Sequence, residues 1–256
     1  MLALMFPPSL GRLAASARAE LFEQWFSRHL EMPIDIRVAS SYEALRRAIE
    51  EREVDLAWAP PVVCAAVQHR AHTILKAIRA GHSTYLSALM VRTGEIRRLE
   101  DLRGRRAAWV DRLSTGGYLL PAAHLRKRGL DPESLLEEQR FVGSYRHALR
   151  AVMEGEADLA SVYVRATTNE AARESVQELL GDGERLEALD FTAEVPSDGL
   201  VVIDRPATSD VHQVVTRLRS LSDGRTHTML LTIFDAEALV PAHPGEYDAL
   251  RDAMTE

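Results

Sequence analysis

The chain has 256 residues, of which 46% are hydrophobic and 27% charged, a composition typical of a globular protein with one or two domains. Its net charge of -7 and the lack of a basic stripe argue against general nucleic-acid binding. Cys64 is the only cysteine, which excludes an internal disulfide and a cysteine-based metal site, and its apolar neighbours predict a buried structural thiol.

The start of the chain and its apolar runs bear on location. Met1 to Pro8 has neither a basic region nor an apolar stretch long enough for a signal peptide, and no run reaches the length of a membrane span. The chain as written is therefore expected to stay in the cytoplasm without membrane insertion. A periplasmic location is expected if a leader has been removed.

The first sixty residues alternate between strand and helix patterns. Leu2–Phe6 has the pattern of a buried strand, and the apolar residues after it recur with a period near 3.6, which predicts a helix. A strand at Ile34–Val38, a helix at Glu43–Glu51 and a strand at Val54–Trp58 follow. This order is typical of a mostly parallel sheet with helices on its faces. The apolar positions of the first helix are Leu10, Leu13, Ala14, Ala17, Leu21, Trp25 and Phe26.

A second alternating series follows a predicted strand at Thr84–Arg92. It is nested between segments of the first series, since a further strand at Leu200–Ile203 and a helical C-terminal segment come after it. We therefore predict a first lobe of residues 1–92 and 196–256 and an inserted second lobe of residues 93–195. The predicted elements of the second series are a turn at Leu99–Gly104, strands at Arg106–Val110, Gln139–Val142 and Ala157–Val162, and helices at Thr115–Arg128 and Tyr145–Glu154.

Two similar tetrapeptides mark corresponding places in the two series. Val54-Asp55-Leu56-Ala57 and Ala157-Asp158-Leu159-Ala160 each follow a predicted helix and enter a strand. Two α/β lobes of similar construction would enclose a cleft. Such clefts bind small ligands at the carboxyl ends of strands and the amino ends of helices.

The segment Ser114-Thr115-Gly116-Gly117 lies between a predicted strand and a predicted helix. Two hydroxyls and two glycines leave backbone N–H groups unshielded at the positive end of the helix dipole, which predicts a small anion-binding turn. The same residue types also fit an ordinary N-cap followed by a tight turn.

Four tyrosines lie at or near predicted ends of strands and helices: Tyr42, Tyr85, Tyr145 and Tyr163. Tyrosine offers a flat apolar face and one O–H donor, which suits a ligand with an acidic end and an apolar body. The alternative is that one or two of them, Tyr163 above all, only cover the edge of the core. Trp58 is expected in the core, the more common place for a buried tryptophan, with the floor of the cleft as the alternative.

A series of short motifs runs in order along most of the chain and resembles the phosphate- and phosphonate-type solute-binding proteins of ABC importers, which have the type II periplasmic-binding-protein fold. The resemblance implies an α/β protein of two lobes, each a mostly parallel sheet flanked by helices, with a cleft between them that closes on a small anion. The motifs are Ser41-Tyr42, Val54–Ala57, Tyr85 with Val91-Arg92, Leu99–Arg105, Ser114–Pro121, Val142–Tyr145, Val152–Asp158, Pro196–Gly199, Val240–Ala242 and Tyr247-Asp248.

The resemblance also implies a set of ligand-binding residues. The family's Ser-Thr-Ser, which donates hydrogen bonds to the anion, here lacks its third hydroxyl. Tyr145 occupies the position where the family commonly has a histidine. No acidic residue lies near Tyr163, where phosphonate binders can place carboxylates that bind a ligand amine. Two tyrosines that line the family's cleft are present here as Tyr42 and Tyr85. The predicted set is Tyr42, Tyr85, Ser114, Thr115, Gly116, Tyr145 and Tyr163.

The predicted function is non-catalytic binding of a small anion of the phosphonate, phosphate, sulfonate or carboxylate class. The partner is an ABC permease for a transport-type binding protein, or a signalling protein for a cytoplasmic sensor. No cofactor or metal is indicated, and no pattern specifies an oligomeric state. One alternative is a cytoplasmic enzyme of the same fold acting on a small organic acid, similar to chorismate dehydratase, although no general acid or base can be placed in the cleft. Another is a degenerate fold used for protein interaction.

Overall fold

The computed structural model describes residues 1–7, 23–181, 185–203, 211–222, 226–248 and 250–251. Its contacts divide the chain into two compact units. The first unit combines Met1–Ser83 with Pro196–Arg251, and the second is the continuous segment Thr84–Val195. Most of the predicted first helix falls on residues 8–22, outside the described residues, whereas residues 23–30 are helical.

The helices and strands alternate along most of the chain. The strands are β1 Leu2–Phe6, β2 Ile34–Val38, β3 Leu56–Ala59, β4 Ala71–Ile78, β5 Thr84–Arg92, β6 Arg106–Trp109, β7 Glu138–Phe141, β8 Ala160–Val164, β9 Leu186–Phe191, β10 Val195–Pro196, β11 Gly199–Ile203 and β12 Ala238–Pro241. The helices are α1 at 23–30, α2 Tyr42–Glu50, α3 Pro61–Val67, α4 Leu120–Lys127, α5 Pro132–Leu135, α6 Tyr145–Met153, α7 Asn169–Leu180, α8 Val211–Arg219 and α9 His227–Phe234.

The first unit contains a six-stranded sheet in the order β12-β4-β11-β3-β1-β2. β1 is parallel to β2 and β3, as the βαβαβ pattern predicts. β11 is antiparallel to β3 and β4, and β12 is antiparallel to β4. The expectation of a mostly parallel sheet is therefore corrected for this half. The chain re-enters the first unit beside the end of β4, with Ser197 N–H bonded to Ser83 O at 2.9 Å, so β11 must run back along β4.

The second unit is organised around β5. This strand is antiparallel to β8 and β9 and is also bonded to β10, whereas β6 and β7 form a parallel pair. The expected mostly parallel sheet is thus limited here to β6 and β7. We assign β5 to this unit rather than to the first lobe because its strand partners lie here. β8 and β9 each begin beside the C-terminal end of β5, at Met90 and Arg92, and therefore run antiparallel to it.

Each unit has its own apolar core. In the first unit Trp58 is 6% exposed and packs on Phe234 with ring centroids 4.4 Å apart, which confirms its expected core position. Cys64 is fully buried, as predicted. In the second unit β5 lies between two apolar clusters, because alternate residues of a strand point to opposite faces. No helix in the described part of the chain is long and apolar enough to span a membrane.

The two similar tetrapeptides have the same structural role. Asp55 Oδ2 accepts the backbone N–H of Ala3 in β1 at 2.8 Å, and Asp158 Oδ2 accepts that of Arg106, the first residue of β6, at 3.0 Å. Each carboxylate satisfies a backbone donor on a neighbouring strand. The similarity predicted from the sequence is therefore a repeated anchor between adjacent strands.

Several elements differ from the sequence prediction. The C-terminal segment was predicted to be helical, but it also contains the strand β12, which pairs with β4. The prediction also lacked β4, β9, β10, α3, α5 and α7. A short apolar segment has no clear periodicity, so tertiary pairing decides between strand and helix there.

Candidate functional site

The predicted anion-binding turn begins with an unusual helical turn. Thr115–Leu119 is π-helical and continues directly into α4. Leu119 N–H bonds to Ser114 O at 3.0 Å, and Leu120 N–H bonds to Thr115 O. Pro121 contributes to this geometry because it has no N–H to give to the carbonyl of Gly117 four residues before it. That carbonyl instead accepts the N–H of Val110 at 3.3 Å.

Ser114 is the N-cap of this helical segment. Its Oγ accepts the N–H of Gly117 at 3.1 Å, so the capping interpretation is confirmed for this residue. The N–H groups of Thr115 and Gly116 have no acceptor among the described residues. Two backbone donors therefore remain open at the positive end of the helix.

The Thr115 hydroxyl is buried without a partner. The residue is 5% exposed, and within the described residues its Oγ1 is the one buried side-chain nitrogen or oxygen that lacks a hydrogen bond. An unsatisfied buried hydroxyl costs about 1–3 kcal/mol, and such an atom in a native protein calls for an explanation. Together with the two open N–H groups, it leaves three hydrogen-bond donors of this turn without an acceptor among the described residues.

Gly116 is fixed to the sheet beneath the turn. Its carbonyl accepts hydrogen bonds from Ser87 Oγ at 2.9 Å and from Ser161 Oγ at 3.1 Å. Ser87 and Ser161 lie on the paired strands β5 and β8, and both are almost fully buried. The two hydroxyls therefore determine where the turn lies against the strands.

Sequence reasoning missed both serines. Each lies within a run of apolar residues in a buried strand, where a hydroxyl needs a hydrogen-bond partner. That isolated polar residue in an apolar strand was the available signal. The sequence could not identify the partner, because the carbonyl of Gly116 is 29 residues from Ser87 and 45 from Ser161.

Tyrosine side chains lie against one side of the turn. A Cβ at position 116 would lie 2.8 Å from Tyr145 Oη and 3.1 Å from Tyr85 Cε2. Tyr145 is the first residue of α6, after its N-cap Ser144, and its ring meets Tyr163 edge to face at 5.4 Å between centroids. The structure therefore brings Tyr85, Tyr145 and Tyr163 together with the turn.

Six of the seven predicted site residues belong to the second unit. Tyr42 belongs to the first unit, where it is the first residue of α2. Ser41 Oγ caps that helix by accepting the N–H of Ala44 at 3.0 Å. The ligand-binding role of all seven residues remains a prediction.

A polar cluster holds α4 against β9. His124 Nε2 lies 3.0 Å from Asp190 Oδ2, and Arg128 donates to His124 Nδ1 at 3.0 Å. Burial lowers the pKa of His124, although the hydrogen bond to Asp190 opposes this. Since Arg128 can only donate, the neutral ring carries its proton on Nε2. Over the described residues, no group of three or more His, Cys, Asp or Glu side chains is arranged to hold a metal ion.

Comparison with known families identifies the chain's relatives. Residues 5–247 match the family described as ABC transporter, phosphonate, periplasmic substrate-binding protein. The chain belongs to this family. Its members bind a small solute and work with an ABC transporter, which agrees with the predicted small ligand and permease partner.

Solved structures show that this phosphonate-family protein has the α/β fold of periplasmic binding proteins. XAC2383 from Xanthomonas citri bound to ATP is 19% identical, with 99% of this chain and 96% of that chain covered and a TM-score of 0.79. PhnD1 from Prochlorococcus marinus in complex with methylphosphonate is 17% identical, with 99% of this chain and 97% of that chain covered and a TM-score of 0.75. The aliphatic sulphonate binding protein SsuA from Escherichia coli is 14% identical, with 99% of this chain and 85% of that chain covered and a TM-score of 0.57.

The family description also bears on location. It names periplasmic proteins, whereas the sequence led us to expect a cytoplasmic one. The comparisons give the cytoplasmic expectation no support.

Proposed function

We propose that this chain binds a small tetrahedral oxyanion of the phosphonate, sulfonate or phosphate class and delivers it to the permease of an ABC importer. The observation that carries the proposal is the buried Thr115 hydroxyl, which lacks a partner among the described residues. It stands in the same turn as the open N–H groups of Thr115 and Gly116. An anion at this turn would accept all three donors.

The chemistry of the turn suits a fully ionised ligand. The donors carry no formal charge, and the helix dipole adds about half a positive charge at this end. Hydrogen bonds to charged groups contribute about 1.5–3 kcal/mol each, so a few such bonds give useful affinity without a cationic side chain. Tyr85 and Tyr145, which lie against Gly116, offer aromatic faces to an apolar substituent.

The ligands of the structural relatives support a tetrahedral head group. One relative is bound to ATP, another is in complex with methylphosphonate, and a third is named for aliphatic sulphonates. Phosphate, phosphonate and sulfonate groups share a tetrahedral centre with several acceptor oxygens. We therefore favour a phosphate, phosphonate or sulfonate over a carboxylate as the ligand.

The family's periplasmic description favours the importer over the cytoplasmic sensor. In the importer role, the protein captures its solute outside the inner membrane. Cell fractionation with an antibody against the native protein tests this role. Recovery in the periplasmic fraction supports the importer, and recovery in the cytoplasm contradicts it.

Thr115→Val tests the anion site because it exchanges the hydroxyl for a methyl group of similar volume. We expect binding of methylphosphonate, measured by isothermal titration calorimetry, to weaken at least about 10-fold through the lost donor. The ligand-free variant should be more stable by about 1 kcal/mol in urea unfolding, because a buried unsatisfied hydroxyl is removed.

Thr232→Val is the matched control, since Thr232 is exposed in α9 and its hydroxyl bonds to Thr228 O at 2.7 Å. We expect this control to bind methylphosphonate as the unmodified protein does. If Thr115→Val bound with unchanged affinity, the proposed anion site would be wrong.

A further inference from the structure

The carbonyl of Gly116 has no donor within its own helical segment. The π-helical pattern joins the N–H of Leu120 to the carbonyl of Thr115, five residues before it. The next donor of this pattern would be residue 121, which is a proline and has no N–H. Because Gly116 is buried, its carbonyl needs a donor from outside the helix.

Two serines of the neighbouring strands supply the missing donors. Ser87 Oγ on β5 donates to Gly116 O at 2.9 Å, and Ser161 Oγ on β8 donates to it at 3.1 Å. The two bonds occupy both lone pairs of the carbonyl oxygen. Both serines are almost fully buried, so water does not compete with them for this oxygen.

The strands that carry these serines are themselves fixed. The N–H of Ser87 donates to Thr192 Oγ1 at 2.9 Å, and the N–H of Thr192 donates to Ser87 O at 2.9 Å. Ser161 lies where β8 pairs with β5, opposite Leu89. The two hydroxyls therefore sit on a rigid support, to which the carbonyl of the turn is bound.

The peptide between Gly116 and Gly117 is held at both of its polar groups. Its carbonyl is bonded to the two serines, and its N–H donates to Ser114 Oγ at 3.1 Å. A glycine on each side places no side-chain restraint on the rotation of this peptide. Hydrogen bonds, rather than steric restriction of the backbone, therefore set its orientation.

We propose that Ser87 and Ser161 are positioning residues of the anion site, which keep the Gly116 carbonyl directed toward β5 and β8 and away from the bound anion. The inference rests on the proposed function. A carbonyl oxygen carries partial negative charge, so a peptide turned toward the site would repel the ligand. The serines act through this peptide, and either hydroxyl alone still holds the carbonyl.

Ser87→Ala and Ser161→Ala, alone and together, test the proposal by calorimetric titration with methylphosphonate. Each single variant keeps one bond to the carbonyl, so we expect its affinity to fall less than about threefold. The double variant leaves the carbonyl without a donor and should bind at least about 30-fold more weakly. A loss larger than the product of the single losses is expected of two residues that share one partner.

Ser175→Ala is the matched control for these substitutions. Ser175 is a buried serine of the same unit, but it lies on α7. The neighbouring Ala172 and Val176 pack in the apolar cluster on the face of β5 opposite to Ser87. We expect the control to bind methylphosphonate within about twofold of the unmodified protein.

The carbonyl signal of Gly116 in NMR distinguishes positioning from direct contact with the ligand. Gly116 and Gly117 are the only adjacent glycines in the sequence. Protein labelled at the carbonyl carbon and the nitrogen of glycine therefore gives one carbonyl–nitrogen correlation, which reports this peptide. A carbonyl carbon that loses a hydrogen bond moves upfield. Without ligand, we expect an upfield shift in each single variant, a larger one in the double variant and none in Ser175→Ala.

The outcomes separate this inference from the proposed function. An unmodified protein that bound none of methylphosphonate, methanesulfonate and phosphate at millimolar concentration would overturn the proposed function itself. If it bound methylphosphonate and the folded double variant bound it within about twofold, the inference would be overturned and the anion site would stand.

Two further results would also overturn the positioning role. A double variant that binds weakly but keeps the Gly116 carbonyl signal of the unmodified protein would show that the serines do not act through this peptide. If thermal unfolding shows that the double variant does not fold, the single variants decide the question. An unmoved Gly116 carbonyl signal in both of them would contradict the proposal.

Discussion

Gly116 and Gly117 are adjacent, yet different neighbours exclude a side chain at each. A Cβ at 117 would lie 2.5 Å from Val110 Cβ and 2.6 Å from Ser114 Oγ. Val110 Cβ is attached directly to the backbone, so it cannot move aside by rotating a side chain. At 116 the closest atom is the far end of the Tyr145 side chain, which can rotate away.

Gly117→Ala should therefore destabilise the fold more than Gly116→Ala. We expect a loss of about 1–3 kcal/mol in the free energy of unfolding for Gly117→Ala, the usual range for forcing atoms into a packed interior. Gly116→Ala should lose less than about half of that amount, because a movable hydroxyl yields. Urea unfolding followed by circular dichroism measures both values. Equal losses would contradict the contacts described for the two glycines.

At the residue scale, the sequence indicated the turn but not the reasons for it. The pair of glycines and the pair of hydroxyls predicted unshielded backbone donors, and the buried N–H groups of Thr115 and Gly116 have no acceptor among the described residues. Ser114 acts instead as an ordinary cap. The crowding of Gly116 by Tyr145 depends on two segments 29 residues apart in the sequence, so local patterns could not predict it.

Among the elements of the second unit, Asp158 joins three segments. It precedes β8, accepts the backbone N–H of Arg106 at the start of β6 and pairs with Arg92 at the end of β5 at 3.1 Å. Burial raises the pKa of this carboxyl, but the hydrogen bonds from Arg106 and Arg92 outweigh burial and hold the pKa below its usual range. The ionised form therefore stabilises the fold.

Asp158→Asn should destabilise the protein in a pH-dependent way. A carboxyl with a lowered pKa in the folded state stabilises above its unfolded pKa of about 3.9, and this contribution is lost as pH falls through the folded value. We expect a deficit of about 2 kcal/mol at pH 7, shrinking below about pH 4. Urea unfolding at several pH values measures it.

Asp35→Asn is the control for this prediction, because the ion pair between Asp35 and Arg37 is partly exposed at the edge strand β2. Such surface pairs contribute about 0–1 kcal/mol. A deficit for Asp158→Asn no larger than that of Asp35→Asn at pH 7 would show that Asp158 is not an anchor.

Element boundaries were predicted best for strands with a clear apolar or alternating pattern. β1, β2 and β5 begin and end at the predicted residues. β9 was missed because Leu186–Phe191 contains Leu, Glu and Ala, which favour helices, and its pairing with β5 overrides that preference. The predicted helix at Thr115 begins with a π-helical turn whose Gly116 carbonyl is held by Ser87 and Ser161, and these long-range contacts are not visible in a local pattern.

At the scale of the whole molecule, the ordered motifs identified the family, and the match over residues 5–247 confirms it. The ligand is a different matter, because relatives that share the fold at 14–19% identity carry different ligands in their names. The shared fold therefore does not specify the ligand of this chain.

The most direct test of the central claim is nitrogen–proton NMR of the labelled protein during titration with methylphosphonate. Hydrogen bonds to an anion should move the amide proton signals of Thr115 and Gly116 strongly downfield, and the shifts should saturate with the affinity found by calorimetry. The amide of Gly129, beyond the opposite end of α4, should move little. Saturable shifts elsewhere, with the amides of Thr115 and Gly116 unmoved, would contradict the account.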